Sequence, residues 1–244
     1  MLILDDLGTH AKYLREMALL AQQIPGRESY PGGIFYEHAH LMERAGRFTQ
    51  YQKASLTLLP VIETELDNMT GLIPTNLMSQ TDGHLLFTAA QRSQGWYPAI
   101  DWARSVTRVG RQTQTLLQKI LGTRVRTALA DYEELKGFIK FETELTEETQ
   151  TKIKQAQMLE ELLRQESQEP VSLAGQLILL TLPFTQFLLK YGQDFVKDHK
   201  RQIRAAIESN PKLLGLASEP GLTDWEPFLA RVESETGTIE AACK

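Results

Sequence analysis

An apolar run near the start of the chain, Leu2-Ile3-Leu4, ends in two adjacent carboxylates, Asp5 and Asp6. Such a run suits a buried strand, and an acid at its carboxyl end is placed to hold a magnesium-bound water beside a nucleotide. Asp5 is the candidate for that contact, although apolar runs followed by aspartate also arise for purely structural reasons. The partner motif is not found: no stretch matches G-x-x-x-x-G-K-[ST], the loop whose backbone amides cradle phosphate. The five histidines (His10, His38, His40, His84 and His199) lack a zinc spacing, and His38 and His40, two apart, do not share a helix face. No serine or cysteine nucleophile constellation is apparent. The single cysteine, Cys243, reads as a free thiol on a frayed tail; it excludes an internal disulfide framework and fits a reducing compartment.

The elements that must position these groups change character along the sequence. After the opening strand, Thr9 can cap a helix with Tyr13, Met17, Leu20 and Ile24 along one face, stopped by Pro25-Gly26. Tyr30-Pro31-Gly32-Gly33 is a turn, and Phe35 to Phe48 reads as a second amphipathic helix. Leu56 to Thr64 is β-rich, with Pro60 limiting it to an edge, a strand start or a bulge. His84 to Thr88 reads as a short strand and Ala99 to Ala103 as a possible third. Strands alternating with helices indicate an α/β layer with a largely parallel sheet. From Arg111 to Phe141 the period is helical, and further helices fit Glu147 to Arg164, Ser172 to Leu182 and Gln193 to Ser209. The expected organisation is an α/β layer over residues 1–110, a helical domain over 111–210 and a poorly ordered tail over 211–244. The α/β layer reads as half of a domain, with its nucleotide-binding half not represented.

Bulk properties exclude several classes. Hydrophobic residues at 42% and charged residues at 23% are ordinary for a globular protein with a sizeable core. A net charge of −5 without a basic block leaves no electrostatic footprint for nucleic acid. The start has no basic n-region, so it is not a signal peptide. The longest apolar stretch, Leu173 to Leu189, is interrupted by Gln176, Thr181, Pro183 and Gln186 and reads as buried helix. Membrane association is therefore expected only through partners.

Several blocks bear on function together. Leu2-Ile3-Leu4-Asp5-Asp6-Leu7 has the form of a Walker-B strand. Pro25-Gly26-Arg27-Glu28-Ser29-Tyr30-Pro31-Gly32, Leu41-Met42-Glu43-Arg44-Ala45 and Leu59-Pro60-Val61-Ile62-Glu63-Thr64 follow it. Ile73-Pro74-Thr75-Asn76, Ser79-Gln80-Thr81-Asp82-Gly83 and Ser105-Val106-Thr107-Arg108-Val109-Gly110 come after. In order and close to spacing, these resemble the alpha (non-catalytic) subunit of F-type rotary ATPases from Walker B onward, over about residues 1 to 210. The resemblance favours alpha over the catalytic beta subunit, and some details lie nearer the sodium-type N-ATPase branch.

The resemblance implies a fold, roles and partners. The fold would be a partial RecA-like P-loop NTPase layer followed by an all-α carboxyl-terminal domain. Arg108 would be the arginine finger, supplied to the γ-phosphate bound by a neighbouring beta subunit. An always-charged planar guanidinium suits the charge spread over a transferring phosphoryl group. Ser105, in the same segment, would hold that segment's geometry. Ser79 and Gly83 match positions near the subunit interface and catalytic pocket, although Asp82-Gly83 is equally a hairpin turn. At the subunit's own nucleotide site the sequence departs from the pattern: Tyr97-Pro98 stands for arginine-proline, and Gln165 followed by Ser167 stands for two glutamines. A tyrosine can stack on a base but makes no charged contact. Independent binding of ATP or ADP with Mg²⁺ is thus not expected of these residues alone. The acidic stretch Glu142 to Glu148 matches a region facing the rotating shaft, or is simply helix N-terminal chemistry with Thr146 as cap.

Implied partners are alternating beta subunits, a gamma-type central shaft and a delta-type stalk, on the cytoplasmic side of a bacterial inner membrane. The complex would couple ATP synthesis or hydrolysis to proton or sodium transport, with this polypeptide alone not an enzyme. Two readings stay open beside it: a structural remnant without a catalytic role, and a different RecA-like hexameric motor.

Overall fold

The computed structural model describes residues 1–51, 54–64, 68–139, 146–166, 169–219 and 224–243. They fall into two compact units, Met1–His84 and Leu85–Lys244. The first contains β1 (Leu2–Leu4), α1 (Leu7–Leu20), α2 (Ile34–Met42), β2 (Gly46–Arg47), β3 (Ser55–Leu56), β4 (Leu58–Pro60), α3 (Leu72–Gln80) and β5 (Gly83–His84). β1 and β4 pair in parallel in the register Leu2–Leu58, Ile3–Leu59, Leu4–Pro60, whereas β2 and β3 pair antiparallel. Pro60 brings no amide hydrogen and is the last residue of its strand; Val61 resumes the ladder by donating to the Leu4 carbonyl at 2.9 Å.

Helix α1 starts earlier than its sequence signal. Asp6, not Thr9, is the cap: its carboxylate accepts from the Thr9 amide at 2.6 Å and from the Thr9 hydroxyl at 3.1 Å. The buried face of α1 also differs from the predicted one. Leu7 and Ala11 pack with Ile34, Ile73 and Leu77, while Tyr13, Met17, Leu20 and Ile24 lie exposed, Ile24 at 91%. Helix α2 ends at Met42, short of the predicted Phe48. The backbone turns at Gly46, whose φ of 143° is a state that a side chain would oppose.

The second unit holds α4 (Ala89–Ser93), β6 (Val106–Thr107), α5 (Leu116–Ile139), α6 (Glu147–Leu163), α7 (Leu173–Thr181), α8 (Gln186–Tyr191), α9 (Gln193–Glu208), α10 (Pro211–Ala217) and α11 (Trp225–Ala242). Its α5 opens on a reciprocal cap: the Thr115 amide donates to Gln118 Oε1 at 2.8 Å, and the Gln118 amide to Thr115 Oγ1 at 3.2 Å. The strands predicted at His84 to Thr88 and Ala99 to Ala103 shrink to a short antiparallel contact. Phe87 bridges Ile100, with Thr88 N donating to Ala99 O at 3.0 Å and Asp101 N to Leu86 O at 2.8 Å. Pro98 lacks an amide on one side and Asp101 bends the backbone into a turn on the other, so the pairing cannot lengthen.

The helices close around one apolar core, including Leu121, Met158, Leu159, Ile178, Leu188, Ile203, Phe228 and Ile239. The apolar stretch from Leu173 is divided by a 3₁₀ turn at Leu182–Phe184 between α7 and α8. Among the described residues no helix is long and apolar enough to cross a membrane. The tail, predicted to be poorly ordered, instead carries α10 and α11. Asn210 caps α10 with Pro211 in its first turn, and Trp225, Phe228, Val232 and Ile239 of α11 are buried. A polar network ties α6 to α9: Lys200 donates to the Glu161 carbonyl and carboxylate, and Arg204 reaches the carbonyls of Leu162 and Arg164 at 3.4 and 3.2 Å. Burial lowers the Lys200 pKa, against the opposing pull of Glu161.

Candidate functional site

Arg108 follows β6 directly and is exposed, with a 3₁₀ turn at Gly110–Thr113 beyond it. Three residues earlier, Ser105 is fixed at both ends of its hydroxyl. Its Oγ donates to the Asp101 carbonyl at 2.6 Å and accepts from the Leu86 amide at 3.0 Å. The Ser105 amide also donates to the Asp101 carbonyl, at 3.0 Å. Beside this segment lies a cleft of about 520 Å³. Trp102, Ser105, Val106 and Thr107 line one side, and Arg126 and Glu133 of α5 the other. Arg126 and Glu133 are seven apart, two helical turns along one face of α5.

Tyr97, Pro98 and Gln165 also come together in the second unit. The Gln165 amide donates to the Tyr97 carbonyl at 2.6 Å, and its side-chain amide to the Glu169 carbonyl at 3.0 Å. The Tyr97 ring stays exposed, as stacking on a planar ligand requires. Next to it Trp96 is buried, with the Arg164 guanidinium 5.6 Å over its ring. Ser167 and residues 142–145 of the acidic stretch lie outside the described residues. Thr146 does cap α6, accepting from the Thr149 amide at 3.3 Å, with Glu147 and Glu148 in the first turn.

In the first unit, Asp5 is exposed in the turn leaving β1. Asp6 is held by Thr9, whose backbone hydrogen bond is the main cause of a lowered carboxyl pKa, and so is engaged as a cap rather than as a ligand. One exposed carboxylate fits Mg²⁺ only where phosphate oxygens and waters complete the octahedron. Among the described residues no group of three or more histidine, cysteine or acidic side chains could hold a metal. Ser79 lies on α3 with its hydroxyl donating back to the Asn76 carbonyl at 2.6 Å. Asp82-Gly83 is not a two-residue hairpin: it follows α3, and Gly83 is not among the residues with positive φ.

The first unit also contains a buried polar network that sequence reasoning misses. Asn76 donates to His38 Nδ1 at 3.2 Å, and Gln80 donates to Asn76 Oδ1 at 2.8 Å and to the Phe35 carbonyl at 3.1 Å. His38 is fully buried and its Nε2 has no hydrogen-bond partner among the described residues. Burial, then the nearby His10, lowers its pKa from the usual 6.5, against a smaller pull from Glu37.

Two family models match the sequence in succession. Residues 1–107 match the nucleotide-binding domain of the ATP synthase alpha/beta family, and residues 114–219 match the C-terminal domain of the same alpha/beta subunits. The protein is 37% identical over 209 residues to ATP synthase subunit alpha 1 of Dinoroseobacter shibae, an alignment covering 86% of this sequence and 41% of that protein. It is 36% identical over 211 residues to ATP synthase subunit alpha of Petrotoga mobilis, covering 86% and 42%. With ATP synthase subunit alpha of Dictyoglomus thermophilum the identity is 41% over 199 residues, covering 81% and 39%. The protein thus spans about two fifths of the length of the curated relatives it matches. Its sequence blocks, its nucleotide-binding and helical domains and its relatives agree: the chain belongs to the ATP synthase alpha/beta family, on the side of the alpha subunits.

Proposed function

We propose that the protein serves as a non-catalytic, regulatory alpha subunit component of an F-type rotary ATPase and lends Arg108 to ATP bound on a neighbouring beta subunit. The observation that carries this reading is the setting of Arg108, exposed at the end of a short strand whose root, Ser105, is pinned by its hydroxyl on two sides. A finger needs that combination: a charged group within reach of a partner, on a backbone that does not move when the partner binds. Residues 1–110 act as part of a RecA-like nucleotide-binding domain and 111–210 as the helical domain. Ser79 and Gly83 contribute to the interface, and Tyr97, Pro98 and Gln165 to a weak nucleotide site facing the base. Asp5 would help to hold a Mg²⁺ ion that phosphate oxygens and waters otherwise coordinate. The wider complex contains beta subunits, a gamma-type shaft and a delta-type stalk, peripheral to the cytoplasmic face of a bacterial membrane, and couples ATP turnover to proton or sodium transport.

Reconstitution with a beta subunit tests the central claim. Arg108→Ala lowers ATPase turnover in the assembled complex by about 10³- to 10⁵-fold, the range for arginine fingers. Undiminished turnover in a complex of unchanged composition would leave the protein a structural component and discard the finger.

A further inference from the structure

The hydrogen bonds around Ser105 converge on Asp101. Its amide donates to the Leu86 carbonyl at 2.8 Å, and its own carbonyl accepts from both the amide and the hydroxyl of Ser105. Oδ1 accepts from the amides of Ala103 and Arg104 at 3.1 and 3.0 Å, and Oδ2 from Arg104 Nε at 2.8 Å. The Asp101 side chain is 14% exposed, while that of Arg104 is about half exposed at 49%. One residue thus uses its amide, its carbonyl and both carboxylate oxygens to define the turn that launches β6.

We propose that Asp101 is a positioning residue for Arg108, acting through the turn and Ser105; this rests on Arg108 working as a finger. From Ser105 to Arg108 is three residues, of which Val106 and Thr107 form β6. At strand rise this is about 10 Å of extended backbone, too short and too stiff to absorb a change of direction at its root. If the turn opens, Ser105 loses the carbonyl it donates to, and the strand leaves at a different angle. A misplacement of about 1 Å at a reacting group is enough to cost about 10²-fold in rate. Asp101 meets no substrate in this scheme. It sets where Arg108 points, not how tightly nucleotide binds.

The prediction is a fall in kcat without a matching change in KM. In the complex reconstituted with a beta subunit, Asp101→Ala lowers kcat for ATP hydrolysis about 10²-fold with KM for ATP essentially unchanged. Asp101→Asn, whose amide oxygen still accepts from Ala103 and Arg104, recovers most of that loss. The double variant Asp101→Ala/Arg108→Ala is no slower than Arg108→Ala alone, because a positioning group has nothing left to position. Additive losses, a raised KM, or an unchanged kcat for Asp101→Ala overturn the proposal. Should Asp101→Ala not assemble, Arg104→Ala removes the side-chain contact to Asp101 Oδ2 and leaves the carboxylate's bonds to the backbone amides of Ala103 and residue 104 in place. It then lowers kcat about two- to fivefold and has no effect in the Arg108→Ala background; an unchanged kcat overturns the proposal equally. The two readings separate cleanly. An active Arg108→Ala complex removes the finger itself, whereas an inactive Arg108→Ala beside an unaffected Asp101→Ala keeps the finger and discards only the role of Asp101.

Discussion

The two units of this protein solve the problem of burial very differently. In the second, helices α5 to α11 enclose a continuous core in which Met158, Leu159, Ile178, Leu182, Leu188, Val196, Ile203 and Phe228 lose all contact with solvent. In the first, the buried core cluster is Leu7, Ala11, Ile34, Ile73 and Leu77, while Leu2, Ile3, Leu59 and Val61 of the parallel pair and its flank stay open. Burial at about 25 cal/mol per Å² of apolar surface gives the helical unit a large reserve and the α/β unit little. The helical unit encloses its own core, whereas the other leaves apolar strand surface open.

Three substitutions or conditions probe that contrast. The largest effect belongs to the helical core: Phe228→Ala destabilises by about 3–5 kcal/mol, read as a lower denaturant midpoint by circular dichroism. A loss below about 1 kcal/mol would mean that the core is less continuous than its burial implies. An intermediate effect belongs to His38, and here the sign is set by a lowered pKa. The folded state resists protonation while the unfolded state does not, so stability is complete above about 6.5 and falls as pH drops below it toward the folded value. Hydrogen exchange of α2 and α3 is expected to accelerate between about pH 7.5 and about pH 5.5 relative to α6 and α9, and His38→Gln should flatten that difference. Equal pH responses in the two units would remove His38 as the cause. The smallest effect is the cap of α1: Asp6→Ala costs about 1 kcal/mol, visible as faster exchange at Gly8 and Thr9 with α6 untouched. Unchanged exchange there would show that β1, not the cap, sets the start of the helix.

How far the sequence anticipates all this depends on how local each signal is. Helices α5, α6, α7 and α9 are legible because period, caps and breakers sit within a few residues of each other, as with Thr115 and Gln118 or Thr146 and Thr149, whereas the separate α8 inside the apolar stretch is not. The tail misleads because Pro211 and Pro227 look like breakers, yet both occupy first turns, where a missing amide hydrogen costs nothing. The stripe of α1 misleads for the opposite reason. Tyr13, Met17, Leu20 and Ile24 have the right spacing, but Leu7, Ala11 and Leu14 are the face that meets α2 and α3, and spacing alone cannot choose between them. Within the candidate site, Ser105 and Arg108 are reached through family resemblance. Asp101 does carry a local signal, since its carboxylate and carbonyl bond residues two to four positions on in an Asx-type turn, and only its Leu86 partner is brought to it by folding. His38 and Asn76 are distant in sequence, and a search for metal spacing cannot see a histidine buried against an amide.

The bond between the Gln165 amide and the Tyr97 carbonyl has a mechanical meaning. It fastens the loop before the Asp101 turn to the end of α6, a helix of 17 residues and hence about 25 Å long. Such a rod works as a lever. A tilt of about 5° moves its end by about 2 Å, more than a hydrogen bond of this length can follow without breaking or pulling its partner along. A push applied near Thr146, at the far end of the rod, would therefore be felt as a tug on Tyr97, a few residues before the Asp101 turn.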